Sequence, residues 1–328
     1  MTPHIPVIPA ETGQDDSRRA AIAAALLADW AGAEAGCAAR LARTAAALGA
    51  LDDRLHRGPE GWRHRLAMIE AAEIGWFAGD RVSPDRLALW MALRLAGAQA
   101  DSGALARVAW AARRLSGGAG PEADLATFLD RRDPRTIAGH AERFTDRAAG
   151  WCDLMAAARP LHPITRACMG FHLWGLAGLG LQGDGTEAAV TAARIAADTG
   201  MGAGMGAVFA PLAMGGAAGL RAGGTPDKRL ARWLDGMESG CRAALRHLGD
   251  IEAWCQRAEA AMAGLSGRTP PALRRALLQW PLLSAPMAER LTGASRAAVQ
   301  RNLAWMETAG LIREVTGQGR FRMWRAAV

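Results

Sequence analysis

The chain contains no tyrosine, and Lys228 is its only lysine. Aromatic residues are 5% of 328, and β-branched residues are few beside the abundant alanine. A chain short of strand formers and rich in alanine favours helix, so the predicted fold class is mainly α. Cysteine is also scarce: Cys37, Cys152, Cys168, Cys241 and Cys255 are odd in number and form no CxxC pair. That excludes a disulfide framework and a zinc knuckle, and predicts buried, reduced thiols in a cytoplasmic protein with no metal or cofactor. The N-terminus, MTPHIPVIPAETGQDDSRR, has neither a basic start nor an apolar core, so no secretory signal is expected. Long apolar runs are missing with one exception. Thr199 to Leu220 carries no charge, but it is rich in glycine and holds Pro211. A small-residue helix packed inside a domain is expected there, and no membrane span.

What is present is a core and a charge imbalance. Hydrophobic residues make up 50% of the chain, which predicts a globular protein, and the length predicts two domains. The formal net charge is +7. From Arg268 to Val328 there are ten arginines against three acids, Glu289, Glu307 and Glu314, so this segment carries the whole excess. A neutral body with a basic C-terminal part predicts that one domain meets a polyanion and the other does not.

The pattern divides the chain further. Residues 1–16, with three prolines and then polar residues, are expected to be a flexible leader. Residues 17–264 read as a helical domain for dimerisation or partner contact. Within it Leu41, Ala45, Leu48, Leu51 and Leu55 recur at helical spacing, and Ser83-Pro84-Asp85 is a helix start. Pro163 to Leu181 and Asp227 to Met262 also read as helical. Residues 265–271, Leu-Ser-Gly-Arg-Thr-Pro-Pro, are a linker by composition.

Residues 271–328 carry the most specific pattern. A first helix is predicted over about Pro271 to Trp280. Ser284 opens a second, with Met287, Ala288 and Leu291 facing inward. Gly293 supplies a turn, and Ser295 caps a third helix that stops at Gly310. Val299, Leu303 and Met306 make one buried stripe of that helix. Arg296, Ala297, Gln300, Arg301, Ala304 and Thr308 lie on or beside the opposite side. Small alanines would let such a helix sit deep in a major groove, where arginine reads guanine and glutamine reads adenine. Leu311 to Thr316 and Arg320 to Trp324 then read as two strands around Gly317-Gln318-Gly319. Phe321 and Met323 fall on one face, and Arg320 and Arg322 on the other. The order predicts a winged helix-turn-helix domain with a short β-hairpin wing. Its expected DNA-binding residues are Ser295, Arg296, Ala297, Gln300, Arg301, Thr308, Arg320 and Arg322.

The ending TGQGRFRMW, preceded by PLLSAPMAERLTGASRAAVQRNL, resembles an uncharacterised family of helix-turn-helix proteins common on alphaproteobacterial plasmids. LGALDDRLHRGPEGWRHRLAMIEAAEIGWFAGDRVSPDRLAL resembles the opening of that family's N-terminal domain of unknown function. The resemblance covers about Leu48 to Val328 and is weakest near Thr199 to Gly224. It implies double-stranded DNA as partner and supplies no mechanism. The architecture also distantly resembles Fic proteins. The segment from His162-Pro163 to Gly170, however, lacks the acid, asparagine and arginine of the Fic signature, so no catalytic residue is assigned.

Other candidates give less. Gly178 to Gly183 matches GxGxxG but follows a helical stretch, not a strand, and is expected to be a loop. His172, His247, Cys241 and Cys255 fit no metal-ligand spacing. The twelve tryptophans are expected as core anchors, Trp62, Trp76 and Trp90 among them. The leading expectation is a homodimeric transcriptional regulator. A Fic-like scaffold with a degenerate site and a plasmid-maintenance DNA-binding protein are the alternatives.

Overall fold

The computed structural model describes residues 12–93, 101–130, 138–180, 185–198, 207–317 and 322–328. Among these are thirteen helices and one three-stranded sheet, so the fold is mainly α. The body is built from α1 (Thr12–Gly36), α2 (Ala38–Arg57), α3 (Gly61–Ala78), α4 (Pro84–Leu93), α5 (Ser102–Ser116), α6 (Leu125–Phe128), α7 (Ala138–Ala157), α8 (Pro163–Trp174), α9 (Thr186–Ala196) and α10 (Pro226–Ala261). Helix α1 begins at Thr12, inside the stretch expected as a leader. Ser83 accepts from the Arg86 amide and starts α4 as expected. Helix α8 ends at Trp174, several residues short of the expected Leu181.

Helices α3, α5 and α9 pack together, α8 lies on α9, and α1 and α2 lie along α10. The leucine stripe of α2 is buried as its spacing predicts, and Trp30 and Trp233 are fully buried between these layers. Trp76 departs from expectation. It is 52% exposed, with Arg81 stacked on its ring.

The uncharged, glycine-rich segment is not a helix where it is described. Residues 207–225 run as turns and bends, and all of 209–213 is buried. Backbone inside a core needs hydrogen-bond partners, and without a helix they must come from elsewhere. Glu70, fully buried on α3, supplies them: its carboxylate accepts from the amides of Leu212, Ala213 and Met214 at 2.6, 2.8 and 2.9 Å. The segment also lies directly on α10. A Cβ at Gly240 would stand 2.7 Å from the carbonyl oxygen of Pro211, so only glycine admits the contact. This explains a residue that otherwise weakens a helix interior by about 1 kcal/mol.

The C-terminal unit comprises α11 (Thr269–Gln279), β1 (Leu283–Ser284), α12 (Ala285–Thr292), α13 (Arg296–Thr308), β2 (Ile312–Glu314) and β3 (Met323–Ala326). The sheet order is β1-β3-β2 and both pairings are antiparallel. Its core gathers Leu273, Leu277, Leu283, Ala288, Val299, Leu303, Met306, Ile312 and Trp324. It also takes Ile251, Trp254, Ala258 and Met262 from the end of α10, and Trp254 donates its indole N–H to the Leu311 carbonyl at 2.7 Å. The expected division at 265–271 follows the charge. The packing divides inside α10, between Leu248 and Ile251.

The two parts are docked through α3. Arg65, 5% exposed, donates through Nη2 to the carbonyls of Leu277 at 2.8 Å and Trp280 at 2.6 Å, at the C-terminal end of α11. A cation there satisfies carbonyls that a helix end leaves without amide partners, and complements the helix dipole. Trp62 donates to Leu278, and His64 stacks on Trp280 at 5.3 Å. Gly61 lies against the Gln279 backbone, where any side chain would collide.

Candidate nucleic-acid interface

Three local devices set the position of α13. Ser284 caps α12, its hydroxyl accepting from the Met287 amide at 3.3 Å. Gly293 ends α12 in the left-handed region at φ 65°, which turns the chain sharply. Ser295 then caps α13, accepting from the Ala298 amide at 3.4 Å. One inward residue of α12 is corrected: Ala288 is buried and Met287 half-buried, but Leu291 is 48% exposed. It lies one residue before the end of the helix, beyond the reach of the core.

Val299, Leu303 and Met306 are buried, as their spacing predicts. The other side is open. Ser295, Arg296, Ala297, Gln300, Arg301, Ala304 and Thr308 are all exposed, so the expected site residues of α13 share one surface. Among the described residues neither Arg296 nor Arg301 has an ion-pair partner. Thr308 turns its hydroxyl back to the Ala304 carbonyl at 3.0 Å, and Asn302 does likewise to Ala298 at 2.8 Å. Arg290, exposed on α12, adds a cation that the sequence pattern leaves unassigned.

The hairpin is arranged differently from expectation. The described part of its second strand is Met323–Ala326, running two residues past Trp324. Each of its faces meets a core: Trp324 and Ala326 turn to the C-terminal core, while Met323 joins the body's core. Arg322 is exposed but engaged, pairing with Glu307 at 3.0 Å and stacking on Trp324 at 5.0 Å. Trp324 also donates to Glu307, so this carboxylate ties the hairpin to the last turn of α13. Glu314 accepts from the amides of Thr316 and Gly317. Its carboxyl lies below its ordinary range: partial burial opposes this, but these bonds and the Arg322 charge outweigh it. Arg320 and Phe321 lie outside the described residues.

The remaining candidates are accounted for within the body. His162 caps α8, its Nδ1 accepting from the Ile164 amide at 3.2 Å. Burial lowers its pKa, against the pull of Glu34. Burial pushes His172 down to about 4, and it packs among Trp30, Phe171 and Trp233. All five cysteines are free thiols, and burial raises Cys37, Cys152, Cys168 and Cys241. Among the described residues no cluster of His, Cys, Asp and Glu could hold a metal. No single helix among them is long and apolar enough to cross a membrane. No protein-family model matches the chain, and no curated protein matches it either.

Proposed function

We propose that residues from α11 to β3 form a winged helix-turn-helix and that the protein binds duplex DNA through it, as a transcriptional regulator. The observation that carries this reading is the surface of α13. Arg296, Gln300 and Arg301 stand exposed beside Ala297 and Ala304, on a helix anchored from behind by Val299, Leu303 and Met306. The order of helices and strands, the left-handed Gly293 turn and the basic excess of the C-terminal segment support it. On this reading Arg301 and Gln300 meet base edges, and Ser295, Arg296 and Thr308 lie near the backbone of the groove. Arg322 reaches a phosphate by exchanging Glu307 for it. Arg320, in the same hairpin, belongs with it by its place in the sequence. The body serves to pair two copies.

Selection of bound sequences from random duplex DNA, followed by salt titration, tests the reading. A preferred sequence should emerge, as an inverted repeat with half-sites about 10 base pairs apart if the protein is a dimer. Arg301→Ala should cost about 1–3 kcal/mol on that sequence and relax preference at one base position. A protein that enriches no sequence and binds no duplex at low salt does not have this function.

A further inference from the structure

The sheet face that carries Met323 and Arg325 turns away from α13 and towards the body. Between it and α3 and α4 lies a cavity of about 500 Å³, lined among others by Arg65, Asp85, His247, Leu282, Arg313 and Arg325. That volume lies within the range of small-molecule sites, about 300–1,000 Å³. Its charges are unbalanced. Arg313 and Arg325 are direct cross-strand partners in β2 and β3, a position where like charges repel. Asp85 pairs with Arg325 at 3.3 Å, and among the described residues no carboxylate pairs with Arg313. The side chains of Arg65, Arg313 and Arg325 and a single side-chain carboxylate, that of Asp85, thus line one cleft open to solvent, whose other walls are apolar at Met68, Ala88 and Leu282.

A cross-strand arginine pair is repulsive, and only Arg325 of the two has a carboxylate beside it among the described residues. An anion in the cavity relieves that repulsion. We propose that this cavity is a binding site for a small organic anion, whose carboxylate or phosphate group bridges Arg313 and Arg325 while its apolar part lies against Ala88 and Leu282. Because α3 and α4 form one wall and the sheet the other, the bound anion holds the body and the C-terminal unit together. The site stands apart from whatever α13 contacts, and its test needs no DNA.

Thermal unfolding of the full chain is followed during titration with citrate and, separately, with inorganic phosphate, each against sodium chloride at equal ionic strength. At least one arm should give a saturable rise in Tm of about 2–4 °C, and which arm does so distinguishes a carboxylate from a phosphate head group. Arg313→Gln should unfold at a higher temperature than the native protein without anion, because the repulsion is gone, and should lose the saturable rise. Arg246→Gln, exposed on α10 and no part of the cavity lining, should keep the rise. The proposal is overturned if neither anion gives saturation, or if the rise persists unchanged in Arg313→Gln. A linear rise shared by all three proteins is general salt exclusion and also overturns it.

Discussion

Arg65 shows what one side chain can decide. Burial lowers its pKa to about 10, which still leaves it charged at neutral pH. A charge 5% exposed is tolerable only if something negative or dipolar faces it, and the carbonyls of Leu277 and Trp280 do. Arg65→Met keeps the apolar stem but leaves those carbonyls without their donor. Hydrogen bonds to a charged group are worth about 1.5–3 kcal/mol, partly offset here because the cation no longer has to be desolvated. The expected result is a loss of about 2 kcal/mol, read as a lower urea midpoint, together with faster proteolysis at exposed Arg268 as α11 loosens. Arg65→Lys should recover little, since a single ammonium does not reproduce the planar fork. A Met variant as stable and as protease-resistant as the parent would mean that the Arg65 contacts contribute nothing to docking.

At the scale of elements, α10 is the decisive piece. Its first turns carry Leu230, Trp233 and Leu234 into the body, and its last turns carry Ile251, Trp254 and Ala258 into the C-terminal core. A fragment beginning at Thr269 therefore lacks part of its own core, including a tryptophan 1% exposed. Loss of a buried aromatic side chain alone costs about 3–5 kcal/mol, comparable to the whole stability of a unit this small. A fragment of residues 245–328 should unfold cooperatively when followed by circular dichroism, and one of residues 269–328 should not. Identical melting curves would show that the end of α10 is dispensable. The sequence signals the charge step at Arg268 but not this sharing. Periodicity identifies which residues of a helix are buried, and it is silent on which core they enter. The Ser284 and Ser295 caps, the Gly293 turn and the stripe Val299, Leu303, Met306 are legible because each is local. Leu291 misleads because it has helical spacing but sits where the helix runs out of core. The cross-strand pairing of Arg313 with Arg325 is hidden because register depends on where β3 begins and ends, and an alternating pattern does not fix that.

Across the whole molecule the buried ionisable groups set opposing responses to pH. Burial lowers His172 and His247 to about 4, with the charges of Arg229 and Arg65 adding to the effect. Between about 4 and their ordinary 6.5 the folded protein holds fewer protons at these sites than the unfolded chain, so their contribution to stability rises with pH. Glu70 runs the other way. Burial raises its carboxyl to about 7, against three amide donors that pull it down. Its contribution is present below the ordinary 4.5 and is lost as pH rises through 7. A tenfold change in proton affinity corresponds to about 1.4 kcal/mol, so two histidines outweigh one glutamate. The urea midpoint should climb from pH 4 to 6.5 and then level or fall towards pH 7.5 as Glu70 ionises. Glu70→Gln separates the parts. Its amide cannot accept from all three of Leu212, Ala213 and Met214, so the curve should drop as a whole because the irregular segment loses a bond. With the opposing titration gone, however, the climb from pH 4.5 to 6.5 should steepen and the decline above it should vanish. A variant curve lower than the native one but parallel to it at every pH would mean that Glu70 holds the segment without titrating in this range.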